Sequence, residues 1–489
     1  MRPGRGGQAC QSCGRVEPAP PAGPERPAVE SQQLRPARAQ PRPPPRPHRP
    51  RPLATFAAVA TIAARVSLDG HRTPRQLPGC LEVLVKLPSL PRIWLAKDVR
   101  KAVLKDRHPW IFDRSLRGRA DAAPGDVVAV AWRRETLALG LYDPSSPLRV
   151  RLLSWDTAKL PDEAWARGVA EAAAARRRAD PQLAECTGVR LLHGEGDWAP
   201  GLVLDAYDGV GVAAFDGAAC EAFWRPHLPA IVDAFASAGF VLRGVVRKGD
   251  GGQLWGEAPP EEPGVFEENG VCYEVDVRRG HKTGFFLDQR ENRRRLRALA
   301  EGKEVLDLFS YTGGFALSAA LGGAGRTVAV DQAAPAVQAC LRNFGLNGLD
   351  AEVLRGTAGP AGPGHRLHVA DCWDFLGEAH RRGQRFDIVV SDPPSMAPNA
   401  RARRRALRAY VELNRGALAV LRPGGLLLAC SCSSHVTARD LREAVEESSR
   451  ASGRRTSLEA EERAASDHPA RKGFPEGDYL QALYVRVLA

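Results

Sequence analysis

The chain has 489 residues, of which 44% are hydrophobic and 26% are charged. This composition is typical of a folded chain of about three domains, and it excludes collagen-like and largely disordered proteins. No run of about 18 apolar residues occurs, so no membrane-spanning helix is expected. Most of the net charge of +12 lies in residues 1–90, which hold 14 basic and 5 acidic side chains.

Proline and arginine dominate the start of the chain, where residues 1–52 hold 14 of the 39 prolines. Such a segment cannot bury enough apolar surface to form a core, so we predict a disordered tail over 1–90 that activity does not need. Cys10 and Cys13 have no second pair nearby, and we expect no metal site. The scattered cysteines indicate reduced thiols in a cytoplasmic protein.

Short alternating strands are predicted over 91–157, at 125–130, 137–142 and 148–153, with the turn sequence DPSSP at 143–147. We therefore predict a small β-barrel. Contact with phosphate groups and a solvated charged face explain equally well the basic residues at its front, which are Lys97, Arg100, Lys101, Lys105 and Arg107.

An α+β connecting domain without a catalytic constellation is predicted over 158–284. Its elements are a helix at 161–178, a strand at 201–205, a helix at about 221–238 and strands near 270–277. Pro226 and Pro229 are expected to confine the second helix to its later part.

Strand and helix patterns alternate over 285–489, which predicts an α/β domain with a Rossmann-like, doubly wound parallel sheet. The predicted strands are 304–309, 326–330, 367–370, 386–390 and 425–430. Helices are predicted to start near Phe315, Ala334, Trp373 and Ala402.

Acidic residues follow the first three predicted strands of this domain. After Asp307 comes a turn whose small residues let a ligand approach the backbone, namely Ser310, Thr312, Gly313 and Gly314. The spacing is not that of a dinucleotide site, and no Walker lysine follows, so NAD and ATP are not expected. Asp331 suits a ribose diol and Asp371 an adenine amino group. Together these residues predict an S-adenosylmethionine pocket, although each Asp alone also suits a helix N-cap or a turn.

The fourth strand ends in Asp392, Pro393 and Pro394, a rigid turn that aims Asp392 into the same crevice. Enzymes that methylate exocyclic amines usually have an aromatic residue next. Ser395 stands there, which disfavours amine methylation. Asp392 is a candidate for handling a proton, holding the base or bordering the cofactor.

A cysteine at the end of the fifth strand predicts covalent catalysis. Carbon 5 of a pyrimidine becomes nucleophilic when a thiolate adds to carbon 6, so we take Cys432 as the nucleophile and expect its thiolate to be favoured. A buried structural thiol is the alternative for Cys432, and it is the expected role of Cys430.

With these residues identified, the chain resembles the bacterial RlmI family of large-subunit ribosomal RNA (cytosine-5-)-methyltransferases over about 92–489. The motifs in chain order are RHPWIF at 107–112, GHKTGFFLDQR at 280–290, FSYTGGF at 309–315, DPP at 392–394, SCS at 431–433, DHP at 467–469 and PEG at 475–477. The resemblance implies a PUA fold for RNA binding at the front, the cofactor S-adenosylmethionine and large-subunit ribosomal RNA as partner. A homodimer is compatible with it.

By this resemblance Gln289 and Arg290 border the cofactor, and Cys432 occupies the position of the family's nucleophile. Two departures are Ser434, where relatives often have Gly, and a Gly/Pro-rich insertion at 356–364, which leaves the adenine contact open. Methylation of uridine carbon 5 or of guanine, and a non-catalytic RNA-binding assembly factor, stay as alternatives.

Basic residues follow the Asp392 turn and share one predicted helix face, namely Arg401, Arg404, Arg405 and Arg408, with Arg403 beside them. Either a solvated face or contact with RNA phosphates explains this cluster.

Overall fold

The structure is a computed structural model that describes residues 90–96, 99–358, 362–397 and 399–488. The tail predicted at 1–90 lies outside the described residues except for its last position. Cys10, Cys13 and Lys97 also lie outside them, as does part of the insertion at 356–364.

A six-stranded sheet forms the front of the described chain, in the order β2-β6-β5-β4-β1-β3. β1 runs parallel to β4, and the other neighbours are antiparallel. Along β1, Ile93 and Leu95 are buried, whereas Arg92 and Trp94 point outward, as the two-residue period of a strand requires. The strands are β1 (Arg92–Leu95), β2 (Trp110–Phe112), β3 (Leu116–Arg117), β4 (Val127–Trp132), β5 (Glu135–Tyr142) and β6 (Leu148–Ser154).

The predicted connecting region contains a five-stranded sheet in the order β11-β10-β9-β8-β7 and a separate hairpin, β12-β13. Its strands are β7 (Gly188–His193), β8 (Leu202–Tyr207), β9 (Val210–Phe215), β10 (Gly244–Arg247), β11 (Gln253–Gly256), β12 (Gly264–Glu268) and β13 (Val271–Val275), and its helices are α1 (Glu163–Arg178), α2 (Ala218–Trp224) and α3 (Leu228–Ser237). The helix predicted at about 221–238 is confirmed over its later part, α3, where the prolines were expected to confine it, and the helical region also extends back to α2. A 3-10 turn at Arg225–His227 divides it, because Pro226 has no N–H to continue the α-helical bonds.

The C-terminal part has an eight-stranded sheet in the order β16-β17-β15-β14-β18-β19-β21-β20. Its strands are β14 (Glu304–Leu308), β15 (Arg326–Asp331), β16 (Ala351–Arg355), β17 (Gly364–Val369), β18 (Phe386–Ser391), β19 (Leu421–Ser431), β20 (Thr456–Glu462) and β21 (Gln481–Val487), and its helices are α4 (Arg290–Leu299), α5 (Gly314–Leu321), α6 (Ala334–Leu346), α7 (Cys372–Arg381), α8 (Arg403–Ala419) and α9 (Ala438–Ala451). The first six strands of the sheet order are parallel, and β21 is antiparallel to both of its neighbours.

The strand order reverses between β14 and β18. From β14 the chain moves outward through β15, and it later returns to the other side of β14 at β18 and β19. Crossover connections diverge at such a point and leave a crevice beyond the carboxyl ends of the two strands, where ligands of open α/β sheets bind. The topology thus predicts a site above Leu308 and Ser391.

Buried hydrogen bonds around Asp467 connect the C-terminal part to the region before it. The Asp467 carboxylate accepts hydrogen bonds from Arg290 Nη2 at 2.7 Å and from the Arg190 backbone N–H at 2.8 Å, and its carbonyl oxygen accepts from Arg177 Nη2 at 2.9 Å. All four residues are buried. Removing one member would leave an uncompensated charge inside the protein.

A cluster that we call the front clamp holds the front sheet against the loop before β21. Its members are His108, Trp110, Phe474 and Glu476. His108 Nε2 lies 3.3 Å from a Glu476 carboxylate oxygen, and the Trp110 and Phe474 rings are 4.7 Å apart in an edge-to-face arrangement. Two of the recognised motifs, RHPWIF and PEG, therefore meet in this contact.

Candidate active site

A cavity of about 480 Å³ opens at the reversal of strand order, beyond the carboxyl ends of β14, β15 and β18. Among the predicted site residues, its wall contains Gln289, Ser310, Thr312, Gly314, Asp331, Asp371, Asp392 and Cys432. Asp307 and Gly313 do not line the cavity. The sequence prediction thus selected residues that are far apart in the chain and lie together in the fold.

The turn between β14 and α5 has a constrained backbone. Phe309 and Tyr311 have φ angles of +58° and +49°, a left-handed conformation that is costly for residues with a Cβ. Gly313 has φ +80°, and a Cβ there would lie 2.1 Å from the Sγ atom of Cys340. Only glycine fits this position, and it lets the chain turn directly into α5.

Buried polar atoms without a hydrogen-bond partner surround this turn. In the part of the chain that the structure describes, they include Asp307 Oδ1, Ser310 Oγ and Thr312 Oγ1. Burial, with the negative charges of Asp392 and Asp331 nearby, raises the pKa of Asp307 to about 8. The second carboxyl oxygen, Asp307 Oδ2, accepts from Ala316 N at 2.9 Å. One unpaired carboxyl oxygen and two free hydroxyls fit a ligand that brings a cation and hydrogen-bonding groups.

Asp331 and Asp371 are held by backbone amides. The two carboxylate oxygens of Asp331 accept from Tyr311 N at 2.9 Å and Ala333 N at 2.8 Å. Asp371 caps α7 and accepts from Trp373 N at 2.8 Å. The turn and N-cap roles are therefore real, and they orient carboxylates that also face the cavity.

Gln289 and Asp392 form a hydrogen-bonded pair on the cavity wall. Gln289 Nε2 donates to Asp392 Oδ2 at 3.0 Å, and Gln289 Oε1 accepts from Asn292 Nδ2 at 2.7 Å, which sets the orientation of the amide. Burial and the negative charge of Asp288 raise the pKa of Asp392 to about 6. Asp392 therefore titrates near neutral pH, as a group that exchanges protons should.

Cys432 lies on the same wall, directly after β19, with its Sγ atom 3.8 Å from the carbonyl oxygen of Pro393. Burial and the negative charge of Asp392 raise the pKa of the Cys432 thiol to about 12. The structure thus does not favour the thiolate as expected, because the half-buried sulfur lies close to the Asp392 carboxylate. Cys430 lies inside β19 and is buried in the core, as predicted.

Hydroxyl groups connect the loop of Cys432 to the loop of Asp392. Tyr410, buried on α8, donates to Ser431 Oγ at 2.9 Å, and the Oγ atoms of Ser433 and Ser395 are 3.1 Å apart. Sequence reasoning missed Tyr410, because a single Tyr within a helix carries no distinctive signal.

Sequence reasoning also missed three residues of the cavity wall, namely Lys282, Phe286 and Asp288. The Lys282 ammonium donates to Asp288 and lies 4.5 Å from the Phe286 ring centroid. Tyr479 OH donates to the same Asp288 carboxylate at 2.7 Å. The signal was available, since Lys282, Phe286 and Asp288 belong to the GHKTGFFLDQR motif. Lys282 is the cation that opposes the rise in the pKa of Cys432.

Arg290 differs from expectation, whereas the basic cluster is compatible with both of its interpretations. Arg290 does not line the cavity, because its guanidinium points to Asp467 and to the Gly188 carbonyl oxygen. In the basic cluster, Arg403 pairs with Asp440 on α9. The remaining members are exposed, namely Arg401, Arg404, Arg405 and Arg408.

Three further features concern the described ranges alone. Their seven cysteines are all unpaired. They contain no group of three or more His, Cys, Asp or Glu side chains arranged to hold a metal ion. None of their helices has the length and apolar character needed to cross a membrane.

Comparison with family models gives two matches. Residues 229–476 match the model of an S-adenosylmethionine-dependent methyltransferase, and residues 94–155 match a PUA-like domain. The first match contains the cavity with its turn, Asp392 and Cys432. The second covers nearly all of the front sheet.

Similar proteins cover most of the chain. A ribosomal RNA large subunit methyltransferase of Deinococcus radiodurans is 40% identical over 421 residues, which are 82% of this chain and 98% of that protein. Ribosomal RNA large subunit methyltransferase I of Tolumonas auensis is 33% identical, over 81% of this chain and 99% of that protein. Among solved structures, a protein assigned as a SAM-dependent methyltransferase from Streptococcus mutans has a TM-score of 0.67 at 25% identity and covers 81% of this chain and 100% of its own.

Proposed function

Because the chain belongs to the family of S-adenosylmethionine-dependent ribosomal RNA large subunit methyltransferases, we propose that it methylates carbon 5 of a cytosine in 23S ribosomal RNA through a covalent adduct with Cys432. We place this activity in the cytoplasm. The observation that carries the proposal is that Cys432 and Asp392 share one cavity with the turn at 310–314.

The cofactor contacts are part of the proposal. Asp331 would hold the ribose diol and Asp371 the adenine amino group, with Ser310 and Thr312 donating hydrogen bonds. The buried Asp307, which does not line the cavity, would act on the cationic methionine end through its charge. When bound, S-adenosylmethionine supplies the electrophilic methyl group that carbon 5 of the activated ring accepts. The unpartnered atoms at Asp307, Ser310 and Thr312 support this assignment.

Cys432 would activate the base. Its Sγ atom forms a bond to carbon 6, and the electron pair of the former 5,6 double bond makes carbon 5 nucleophilic. After carbon 5 is methylated, it loses its proton, the double bond forms again, and the carbon–sulfur bond breaks with its electrons returning to Cys432. One proton leaves to solvent in each turnover.

Asp392 would take the thiol proton. A thiol with a pKa of about 12 holds its proton at pH 7, whereas a carboxyl with a pKa of about 6 is mostly ionised there. The same negative charge that keeps the free thiol protonated thus makes Asp392 a base in the same cavity. Gln289 would position it through the 3.0 Å hydrogen bond.

A trapping experiment tests the proposal. RNA containing 5-fluorocytosine lacks the carbon 5 proton whose removal releases the enzyme, so we expect a denaturation-resistant adduct with the parent protein and none with C432A. The C186A variant is the control, since Cys186 is a half-buried thiol outside the cavity. Methylation by C432A at the parent rate would contradict the covalent mechanism.

The position and the base are tested by mass mapping of ribosomal RNA from cells that lack the protein. We expect one missing 5-methylcytosine in the large-subunit RNA, which the purified protein restores. Loss of a methylated uridine or guanine would contradict cytosine as the target. Unchanged methylation would favour the non-catalytic assembly factor.

A further inference from the structure

We propose that the front sheet carries a second RNA site, a cleft where an unpaired base of the substrate stacks on tryptophan and its phosphates meet two arginines. We call it the Trp94 cleft, and its lining residues are Trp94, Leu95, Arg117, Trp132 and Arg133. The inference rests on the proposed function in one respect, because it takes RNA as the substrate.

Trp94 is the platform of this cleft. It lies on β1, one strand in from the edge of the sheet, and is paired with Arg117 on the edge strand β3 and with Ala131 on β4. Its neighbours Ile93 and Leu95 are buried, whereas the Trp94 side chain remains 42% exposed. A large aromatic ring left open to water beside cations is the arrangement on which nucleic-acid bases stack.

Two guanidinium groups lie on either side of Trp132 in the same cleft. The Arg117 and Arg133 guanidinium carbons are 5.9 Å and 6.0 Å from the Trp132 ring centroid. Neither arginine has an ion-pair partner among the residues that the structure describes, whereas nearby Arg100 has Glu135 at 3.7 Å. Two cations without ion-pair partners among those residues, beside the exposed Trp94 and the half-buried Trp132, favour an anionic ligand with an aromatic group.

The local backbone holds Arg133 in place. β4 and β5 are joined by a two-residue turn, with Trp132 paired to Glu135, and Arg133 takes a left-handed φ of +56°. Such a tight turn fixes the direction in which a side chain leaves it. The cleft has a volume of about 480 Å³, within the range of small-ligand pockets, and so has room for one nucleotide.

Single-stranded RNA fits these features better than a protein segment does. A base has a π-face for Trp94 whatever its sequence, and each nucleotide brings one phosphate to a guanidinium. An acidic peptide satisfies Arg117 and Arg133 but offers no flat ring to Trp94. The structure thus points to a stretch of substrate RNA outside the target nucleotide.

Binding of a fluorescein-labelled RNA of about 12 nucleotides to the full chain tests the site. We expect W94A to weaken binding about tenfold, from the energy of one stacked base, and W94F to keep most of the affinity. Thermal unfolding of W94F should match the parent and that of W94A should change only modestly, because Trp94 is 42% exposed. Parent-like affinity of W94A would overturn the site.

Two neighbouring arginines separate local contact from net charge. R133Q should weaken binding and lower the slope of log affinity against log salt by about 0.7, the value for one phosphate of a single strand. R134Q removes the same charge from the same turn, at a residue outside the cleft, and its effect should be smaller. Equal effects of the two variants, or Trp94-dependent binding of polyglutamate as tight as that of RNA, would also overturn the site.

These outcomes are distinct from a failure of the proposed function. If the parent binds RNA through Trp94 but transfers no methyl group, the proposed activity fails and the Trp94 cleft stands. If the parent methylates ribosomal RNA and W94A does so with unchanged KM and RNA affinity, the cleft fails and the activity stands.

Discussion

Asp392 is the residue whose replacement most directly tests the proposed proton transfer. The variant D392N keeps the size of the side chain and removes its ability to accept a proton. The thiol of Cys432 must then lose its proton to water or hydroxide. We expect the rate of methyl transfer to fall while cofactor binding changes little, because Asp392 would act on the base and the sulfur.

The size of the effect follows from the two pKa values. With a pKa of about 12, only about one Cys432 thiol in 10⁵ is ionised at pH 7. A positioned general base is worth about 10²- to 10⁴-fold in rate. Removing the charge of Asp392 also lowers the pKa of Cys432 and partly offsets the loss, so we expect a decrease near the lower limit, about 10²-fold.

The pH profile gives the decisive measurement. In the parent at saturating S-adenosylmethionine, kcat/KM for RNA should rise with pH through about 6, where Asp392 becomes ionised, and then level off. In D392N it should keep rising about tenfold per pH unit, since hydroxide now limits the thiolate. Transfer of a labelled methyl group to ribosomal RNA from deletion cells measures both curves.

The control is D387N, which makes the same change at the amino end of β18, where Asp387 contacts Arg422 at 2.9 Å. It should keep the profile of the parent. A D392N enzyme with the parent's plateau above pH 6 would refute the role of Asp392, even if its rate were lower.

Three further variants test the cavity and its support. Binding of S-adenosylhomocysteine, measured by calorimetry, should strengthen about 50-fold from pH 6 to 8 as Asp307, with a pKa of about 8, becomes ionised. The affinity of D307N should not change with pH over this range. A parent affinity without this rise would contradict the proposed role of Asp307 in cofactor binding. D467A should lower the free energy of unfolding in urea by about 3–5 kcal/mol, because it removes the 2.7 Å partner of the buried Arg290 and leaves only Glu268 at 3.9 Å and Glu291 at 4.0 Å. A loss below about 1 kcal/mol would mean that these more distant carboxylates compensate the charge. G313A should lower the free energy of unfolding by about 2–4 kcal/mol, because position 313 has a φ of +80° and the added Cβ would contact Cys340. Adding C340A to G313A should restore part of this free energy. No gain from C340A would place the strain in the backbone alone.

The parallel sheet was predictable because its central strands are short runs of branched apolar residues. β14, β15 and β18 are buried on both faces, and each lies within one residue of its predicted bounds. The acidic residues of the site follow from the same pattern, since parallel strands present their carboxyl ends at one edge. Asp331 and Asp392 could therefore be selected without knowledge of the fold.

The elements that were missed lack such a run or combine it with charge. β16 is a half-exposed edge strand with two charged residues, Glu352 and Arg355. α9 has a signal that was overlooked, the capping box of Thr437 and Asp440 at its start. In α4, Arg290 occupies a buried position that hydrophobic periodicity assigns to solvent.

Properties that depend on distant partners were beyond sequence reasoning. The raised pKa of Cys432 comes from burial and from Asp392, which lies 40 positions earlier in the chain. The RHPWIF motif was interpreted only through its family's RNA binding, whereas His108 contacts Glu476, 368 positions later. Such contacts form only when the whole chain has folded.

The front clamp has a geometric consequence for substrate choice. Because Trp110 packs on Phe474 and His108 bonds to Glu476, a nucleotide bound in the proposed Trp94 cleft would be held at one set distance from the Sγ atom of Cys432. Ribosomal RNA in which the anchor and the target cytosine are separated by any other span would bind and yet present the wrong residue. Selection by spacing needs no reading of the bases that lie between.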